Sequence, residues 1–272
     1  MRIYLSVDME GLAGVAHPAQ VVFGLNGIDR TDYDRSRGLM AGETNAAIEG
    51  AFEHGAREVI VNDSHWQMRN LRAEDLAGGA RLIIGDKPFS MTQGIGGIGD
   101  GAFDGAAFIG YHAGAGHPTG VIAHTYSSAT VLEIRINGVP HNEAGLNAIR
   151  LGYHGVPVIL VAGDDALATE IAALLPWAER VVVKRGLGRT WPTPSRRQQL
   201  RRRSARAWAA RWPASGRCAS TSPIRRWMVR STSAPRSWPI TGACCPGPRG
   251  SDPGRSASEP ITATACTGPA SG

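Results

Sequence analysis

The chain has 272 residues, long enough for one large α/β domain or for a domain with an appendage, and a formal net charge of +6. That charge is unevenly placed. Residues 1–190 carry 15 basic and 21 acidic side chains, whereas residues 191–272 carry 14 Arg, no Lys and 2 acids. The basic balance belongs to the tail and makes nucleic acid an unlikely partner of the body, and no apolar run reaches the roughly 18 residues that a helical membrane span needs.

Along the body, short β-rich runs alternate with helical patterns. Ile3–Val7 reads as a strand ending at Asp8. From Asp34 to His54, apolar residues at Leu39, Met40, Ala47, Ile48, Ala51 and Phe52 follow a helical period, and Gly55 suits the C-terminal cap. Glu58–Val61, Arg81–Ile84 and Ala106–Ile109 are further strands. Val131–Ile136 leads into Asn137-Gly138, a tight-turn dipeptide. Asn142 to Tyr153 reads as a helix and Val156–Ala162 as a buried strand. Asp164 caps a helix running to Leu175, and Arg180–Lys184 is the last strand. This alternation predicts an α/β fold, a mostly parallel sheet flanked by helices. Gly94 to Gly99 formally fits G-x-G-x-x-G, but it follows no strand and opens no helix, so it reads as a mobile loop near the site rather than a dinucleotide cradle.

The character of the chain changes near Thr190. The tail 191–272 holds all four Cys, five of the seven Trp and eleven of the seventeen Pro, and it lacks Phe, Tyr, His, Asn and Lys altogether. Its only Leu, Ile or Val residues are Leu200, Ile224, Val229, Ile240 and Ile261, too few to offset the entropy of ordering it. A disordered basic arm is one explanation. Out-of-frame translation of a GC-rich gene is the other, and it is favoured because it enriches Arg, Pro, Ser, Trp and Cys together. The body has no cysteine, so a reducing compartment is expected. The start shows no secretory signal, and the protein reads as cytoplasmic.

Three strands end in polar groups that suit a metal. The first runs into Asp8-Met9-Glu10, the second into Asn62-Asp63-Ser64-His65, and the fourth into Gly110-Tyr111-His112. Ligands of open parallel sheets bind outside the carboxyl ends of the strands. Asp8, Glu10, His65 and His112 can therefore converge there, and carboxylates mixed with imidazoles suit Zn²⁺, Mn²⁺ or Co²⁺. Taken singly, each is more often a cap or an ordinary polar group. Glu143 opens a helix beside Ala144 and Gly145, small residues that let the helix start approach a neighbour.

Read in order, Ser6-Val7-Asp8-Met9-Glu10-Gly11, Val61-Asn62-Asp63-Ser64-His65, Gly85-Asp86-Lys87-Pro88-Phe89-Ser90-Met91, Gly110-Tyr111-His112-Ala113 and Asn142-Glu143-Ala144-Gly145-Leu146-Asn147-Ala148 resemble the signatures of the D-aminopeptidase family, as does Val161-Ala162-Gly163-Asp164-Asp165. The resemblance spans about residues 1–190. It implies a metallo-aminopeptidase with two Zn²⁺ per subunit. The enzyme would act through a metal-activated water on short peptides with an N-terminal D-residue, D-Ala above all, and would assemble as a homo-oligomer. It further implies that Asp8 is the bridging carboxylate, that Glu10 and His65 complete one zinc site, and that His112 and Glu143 complete the other. His124, in Ala123-His124-Thr125, matches the family's catalytic histidine; His117 lies in a loop context that suits a surface role. Rival expectations are another dinuclear metallohydrolase, an amidase or phosphodiesterase, or a product made inactive by loss of its C-terminal part.

Overall fold

The computed structural model describes residues 1–23, 30–87, 103–188 and 192–193. All of them lie in the first of the two units, Met1–Arg230 and Ser231–Gly272, into which the chain divides. The expected glycine loop at Gly94–Gly99 and nearly all of the expected irregular tail lie outside the described residues.

Six parallel strands form the sheet: β1 (Arg2–Val7), β2 (Glu58–Asp63), β3 (Ala80–Ile83), β4 (Gly105–Tyr111), β7 (Val158–Asp164) and β8 (Glu179–Gly186). A short β9 (Pro192–Thr193) pairs antiparallel with Arg185 and Gly186 of β8. The order across the sheet is β3-β2-β1-β4-β7-β8-β9. Every residue of β4 and β7 is buried, as central strands covered on both faces require.

The faces are covered by α1 (Thr31–Glu53), α2 (Glu143–Tyr153) and α3 (Asp165–Leu174). Side-chain alternation along β1 sends Ile3, Leu5 and Val7 into the core shared with Met40, Ala47, Ile48 and Ala51 of α1. Tyr4 joins the other core, where Ala148 and Leu151 of α2 meet Leu167 and Ile171 of α3. Fully burying one such aliphatic side chain contributes about 1.5–3 kcal/mol, so the two layers fix the sheet between them. Gly55 ends α1 at φ +86°, the left-handed geometry expected of its position. Asp164 caps α3, its Oδ1 accepting the Leu167 N–H at 2.8 Å.

One expected strand is shorter than its composition suggests. Val131–Ile136 reduces to β5 (Ile134–Ile136), which pairs antiparallel with β6 (Val139–His141) in a separate two-stranded hairpin. Leu132 is 84% exposed, and Val131 N–H instead closes a turn onto Ser127 O at 2.9 Å. With no second face to pack on, apolar residues alone do not extend a strand. Asn137 and Gly138 turn the hairpin with φ of +50° and +79°.

Counting only the parallel strands, the order reads 3-2-1-4-5-6, so chain direction across the sheet switches between β1 and β4. That is where an open α/β sheet leaves a crevice beyond its strand ends. Unlike a dinucleotide-binding turn, the segment leaving β1 presents two carboxylates.

Candidate metal centre

The switch point places Asp8 after β1, His65 after β2 and His112 after β4, on three adjacent strands with Asp8 in the middle. Close backbone crossing makes this possible. The Gly11 N–H donates to Gly110 O at 2.7 Å, and a Cβ on Gly11 would fall 1.8 Å from Tyr111 O. The β4–β7 register also shifts between Phe108 and Tyr111, an irregularity just before His112.

Two clusters result. Asp8, Glu10 and His65 form one; His112, His124 and Glu143 form the other. Asp8 faces both: its Oδ1 lies 3.0 Å from His65 Nδ1, and its Oδ2 lies 3.5 Å from His112 Nε2. Glu10 Oε2 is 3.1 Å from the same His65 nitrogen, and Glu143 Oε1 is 3.4 Å from His112 Nε2 and 3.7 Å from His124 Nε2.

Each imidazole spends its other nitrogen on a backbone carbonyl. His65 Nε2 contacts Val21 O at 2.7 Å, His112 Nδ1 contacts Ala113 O at 3.0 Å, and His124 Nδ1 contacts Ile122 O at 3.0 Å. A carbonyl can only accept, so these nitrogens carry the protons. In the neutral rings the remaining nitrogens then aim lone pairs at carboxylate oxygens. Such acceptor–acceptor contacts are repulsive unless a proton or a metal ion lies between them. Glu10 Oε2 and His112 Nε2 are moreover buried without a hydrogen-bond partner. Backbone-oriented imidazoles facing carboxylates are the arrangement that metal sites use, and the donor set fits divalent zinc well.

The electrostatics carry the same message. Burial, then the Glu10 carboxylate, pushes Asp8 up to about 7. Burial disfavours a charged His112, but Glu143, Asp8 and Glu10 outweigh it and raise the ring to about 10. His65 is raised well above its ordinary value despite its burial, chiefly by Glu10 and Asp8. Three buried carboxylates thus draw positive charge into the site. His124 differs: burial and the neighbouring His112 hold it below the usual histidine range.

Glu143 is the first residue of α2. Asn142 caps that helix, its Oδ1 accepting the Gly145 N–H at 2.8 Å, and the Tyr126 N–H donates to Glu143 Oε1 at 2.8 Å. Gly145 permits the close approach its size suggests, since a Cβ there would lie 2.9 Å from Leu174 Cδ1. His117 stands apart. Its Nδ1 accepts the Thr119 and Gly120 N–H groups at 3.3 and 3.1 Å, making it a turn cap, and it does not line the cleft over the clusters.

A supporting layer was not predicted from sequence. Asp63 accepts the Asn70 and Leu71 N–H groups and the Asn70 Nδ2, while that same amide reaches His65 O at 2.8 Å. Ser6 Oγ lies 2.6 Å from Ser64 Oγ and 2.7 Å from Tyr111 Oη, beneath the strand ends. Lys184, 3% exposed, donates to Glu10 O and to Val15 O, tying the loop after β1 to β8. Burial holds that ammonium down at about 8. The Asn-Asp-Ser-His run was a signal for Asp63; Asn70 and Lys184 left none.

Every member of the two clusters except the fully buried His112 lines a cleft of about 570 Å³, bounded also by Val22, Trp66, Met68, Tyr126, Ser127 and Ser128. Fold and site together define an α/β protein built around a two-cluster, carboxylate–imidazole centre of the kind that holds paired divalent metals. The chain belongs to the D-aminopeptidase family, whose model matches residues 1–230. It is 44% identical over 191 residues to the D-aminopeptidase of Bacillus subtilis strain 168, an alignment covering 70% of this chain and 66% of that relative, just under two thirds of its length. Among solved structures it is similar to the Zn-dependent D-aminopeptidase DppA from Bacillus subtilis, described as a self-compartmentalizing protease. That match has a TM-score of 0.68 and 41% identity, over 77% of this chain and 73% of the other.

Proposed function

We propose that this protein is a zinc-dependent aminopeptidase that hydrolyses short peptides with an N-terminal D-residue, D-Ala foremost, using two zinc ions per subunit. The observation that carries the reading is the division of Asp8 between the clusters, one carboxylate oxygen towards His65 and the other towards His112. Family membership and the zinc-dependent D-aminopeptidase named among its relatives support it. Asp8 would be shared by the two ions, Glu10 and His65 would hold one of them, and His112 and Glu143 would hold the other. When bound, such a pair acts as a Lewis acid and lowers the pKa of water towards neutrality.

The chain's own residues do the rest. His124 is neutral at pH 7 by virtue of its depressed pKa, and its free Nε2 can take a proton from the attacking water and pass it to the leaving amine. Glu143 is fixed by the Tyr126 N–H, so the second cluster keeps its shape as charge develops. A homo-oligomer is part of the reading, supported by the self-compartmentalizing description of DppA. A cytoplasmic location is proposed from the cysteine-free body; no helix among the described residues is long and apolar enough to cross a membrane. We assign the metallo-aminopeptidase body to residues 1–190, and the tail 191–272 to out-of-frame translation.

The test is hydrolysis by the zinc-loaded full chain. Release of D-Ala from D-Ala-D-Ala, with L-Ala-L-Ala at least tenfold slower and bis-p-nitrophenyl phosphate inert, is the expected result. Turnover of the phosphodiester but of neither peptide would overturn the reading.

A further inference from the structure

The second cluster gathers side chains from three segments: His112 from the exit of β4, His124 from the loop beyond it and Glu143 from the start of α2. Their spacing is set by bonds between segments rather than by one element. The Tyr126 N–H donates to Glu143 Oε1 at 2.8 Å. The Ala115 N–H donates to the buried Thr125 Oγ1 at 3.1 Å, joining the exit of β4 to the residue after His124. By these two bonds the route from His112 to Glu143 is indirect, since it passes through the His124 loop.

Glu170, on α3, makes the direct connection. Its Oε2 accepts the Gly114 N–H at 3.0 Å and the Asn142 Nδ2 at 2.6 Å. Gly114 lies two residues past His112, and Asn142 immediately precedes Glu143. The Asn142 Oδ1 meanwhile accepts the Gly145 N–H, so Glu170 holds the very side chain that caps α2. The helix behind Glu170 is firmly seated. Asp164 caps it, and Leu167 and Ile171, before and after Glu170 in sequence, are buried in the core. One carboxylate oxygen has lone pairs for both bonds, and bonds to a charged acceptor are roughly twice as strong as neutral ones. Glu170 does not line the cleft over the clusters. It lines a separate cavity of about 250 Å³, together with Gly114, Thr125 and Asn142.

We propose that Glu170 is a positioning residue for the second metal site: by clamping Gly114 to Asn142 it sets the separation of His112 and Glu143. It acts through those two segments and touches neither metal nor substrate. This rests on the two-metal reading. Supporting groups of this kind change metal affinity by about 10–100-fold. The change should fall on the ion between His112 and Glu143, because the first cluster has its own supports in Asn70 and Lys184. Water can enter from the cavity and satisfy the two donors that Glu170→Ala would leave, so the variant should fold.

The experiment loads the full chain with an NMR-active cadmium isotope and follows the bound ions by their resonances during competition with a chelator. His65→Ala assigns the first-site resonance by removing it. Wild type is expected to show two resonances. E170A should release the second-site ion about 10–100-fold more readily and leave the first in place. Glu170→Gln should behave as wild type, because its amide oxygen can still accept both N–H bonds. Asn142→Asp keeps the helix cap but sets two carboxylates against each other, so it should weaken the same ion. Combining N142D with E170Q should restore that ion, the introduced amide now donating to the introduced carboxylate. This pair carries the test alone if circular dichroism shows E170A unfolded. Wild-type affinity at the second site in E170A overturns the positioning role, as does equal loss of both ions or failure of E170Q to rescue in the pair. A single cadmium resonance in wild type would instead sink the two-metal reading.

Discussion

His112 and His124 stack face to face, their ring centroids 4.0 Å apart and their planes within 12°. The two rings nonetheless have opposite electrostatics. His112 sits against Asp8 and Glu143 and is pushed up to about 10, whereas burial and His112 itself push His124 down. His124 is also the more exposed, with 18% of its side chain open against 1% for His112. A neutral, accessible imidazole stacked on a buried one suits proton transfer better than ligation. His124→Ala should keep both zinc ions and lower kcat by about two to four orders of magnitude, while His117→Ala leaves kcat near wild type. Loss of one zinc per subunit in H124A, measured by metal analysis, would make His124 a ligand instead.

Asp8→Asn tests the bridge. The amide keeps the shape but presents only one acceptor oxygen and no charge, so one of the two contacts to His65 and His112 is lost as a ligand contact. Bound zinc should fall well below the wild-type content and hydrolysis should cease. An unchanged stoichiometry would remove Asp8 from the bridging role.

Asn70 touches no candidate ligand side chain, yet it braces His65. Its amide nitrogen donates to His65 O and to Asp63 Oδ1, both at 2.8 Å. Outer-layer groups of this kind typically change metal affinity by about 10–100-fold. Asn70→Ala should weaken zinc binding on that scale in a competition titration while circular dichroism stays native. Wild-type affinity would show that the loop holds its shape without Asn70.

Gly11 makes the crossing of the β1 and β4 exits possible. Its missing Cβ would lie 1.8 Å from Tyr111 O, a backbone atom that cannot swing away as a side chain would. Gly11→Ala must therefore separate the loop carrying Glu10 from the strand end carrying His112. A loss of stability of about 1–3 kcal/mol or more is expected, the scale of overpacking, together with reduced zinc uptake. A melting temperature equal to wild type would contradict this contact.

Much of this arrangement was legible in the chain because the information was local. Asp8 and His112 follow an apolar strand directly and His65 lies two residues past one, and parallel strands necessarily end on one side, so adjacency in the sheet brings them together. Glu143 was legible as the opening residue of a helix beside the small Ala144 and Gly145; the Asn142 cap that fixes it emerged only in the structure. Lys184 was not. Its role depends on reaching Glu10 O and Val15 O, 174 and 169 residues away in sequence, and it is read from neither period nor motif. The over-long strand at Val131–Ile136 failed differently, since local β propensity was real but, among the described residues, no second layer covers Leu132.

The tail yields the last prediction. The family-like register runs through Val183-Lys184-Arg185-Gly186-Leu187-Gly188-Arg189-Thr190, and from Trp191 onward Lys, Tyr, Phe, His and Asn vanish together. Selection on a folded domain removes residue types one position at a time; a change of frame removes them in one step. A GC-rich reading frame shifted by one base gives the Arg, Pro, Ser, Ala, Trp and Cys that replace them. The family match extends to residue 230, so the nucleotide sequence to inspect runs from before codon 190 to beyond codon 230. One of the two alternative frames should restore alternating strand and helix patterns with Val, Leu, Tyr and Asp, without an early stop. A chain rebuilt in that frame should be more soluble than this one, because restored strands and helices would bring apolar residues that cover sheet edges and helix faces. If both alternative frames stop early or stay patternless, the Arg-rich tail is genuine, and retention on DNA that falls steeply with salt becomes the behaviour to measure.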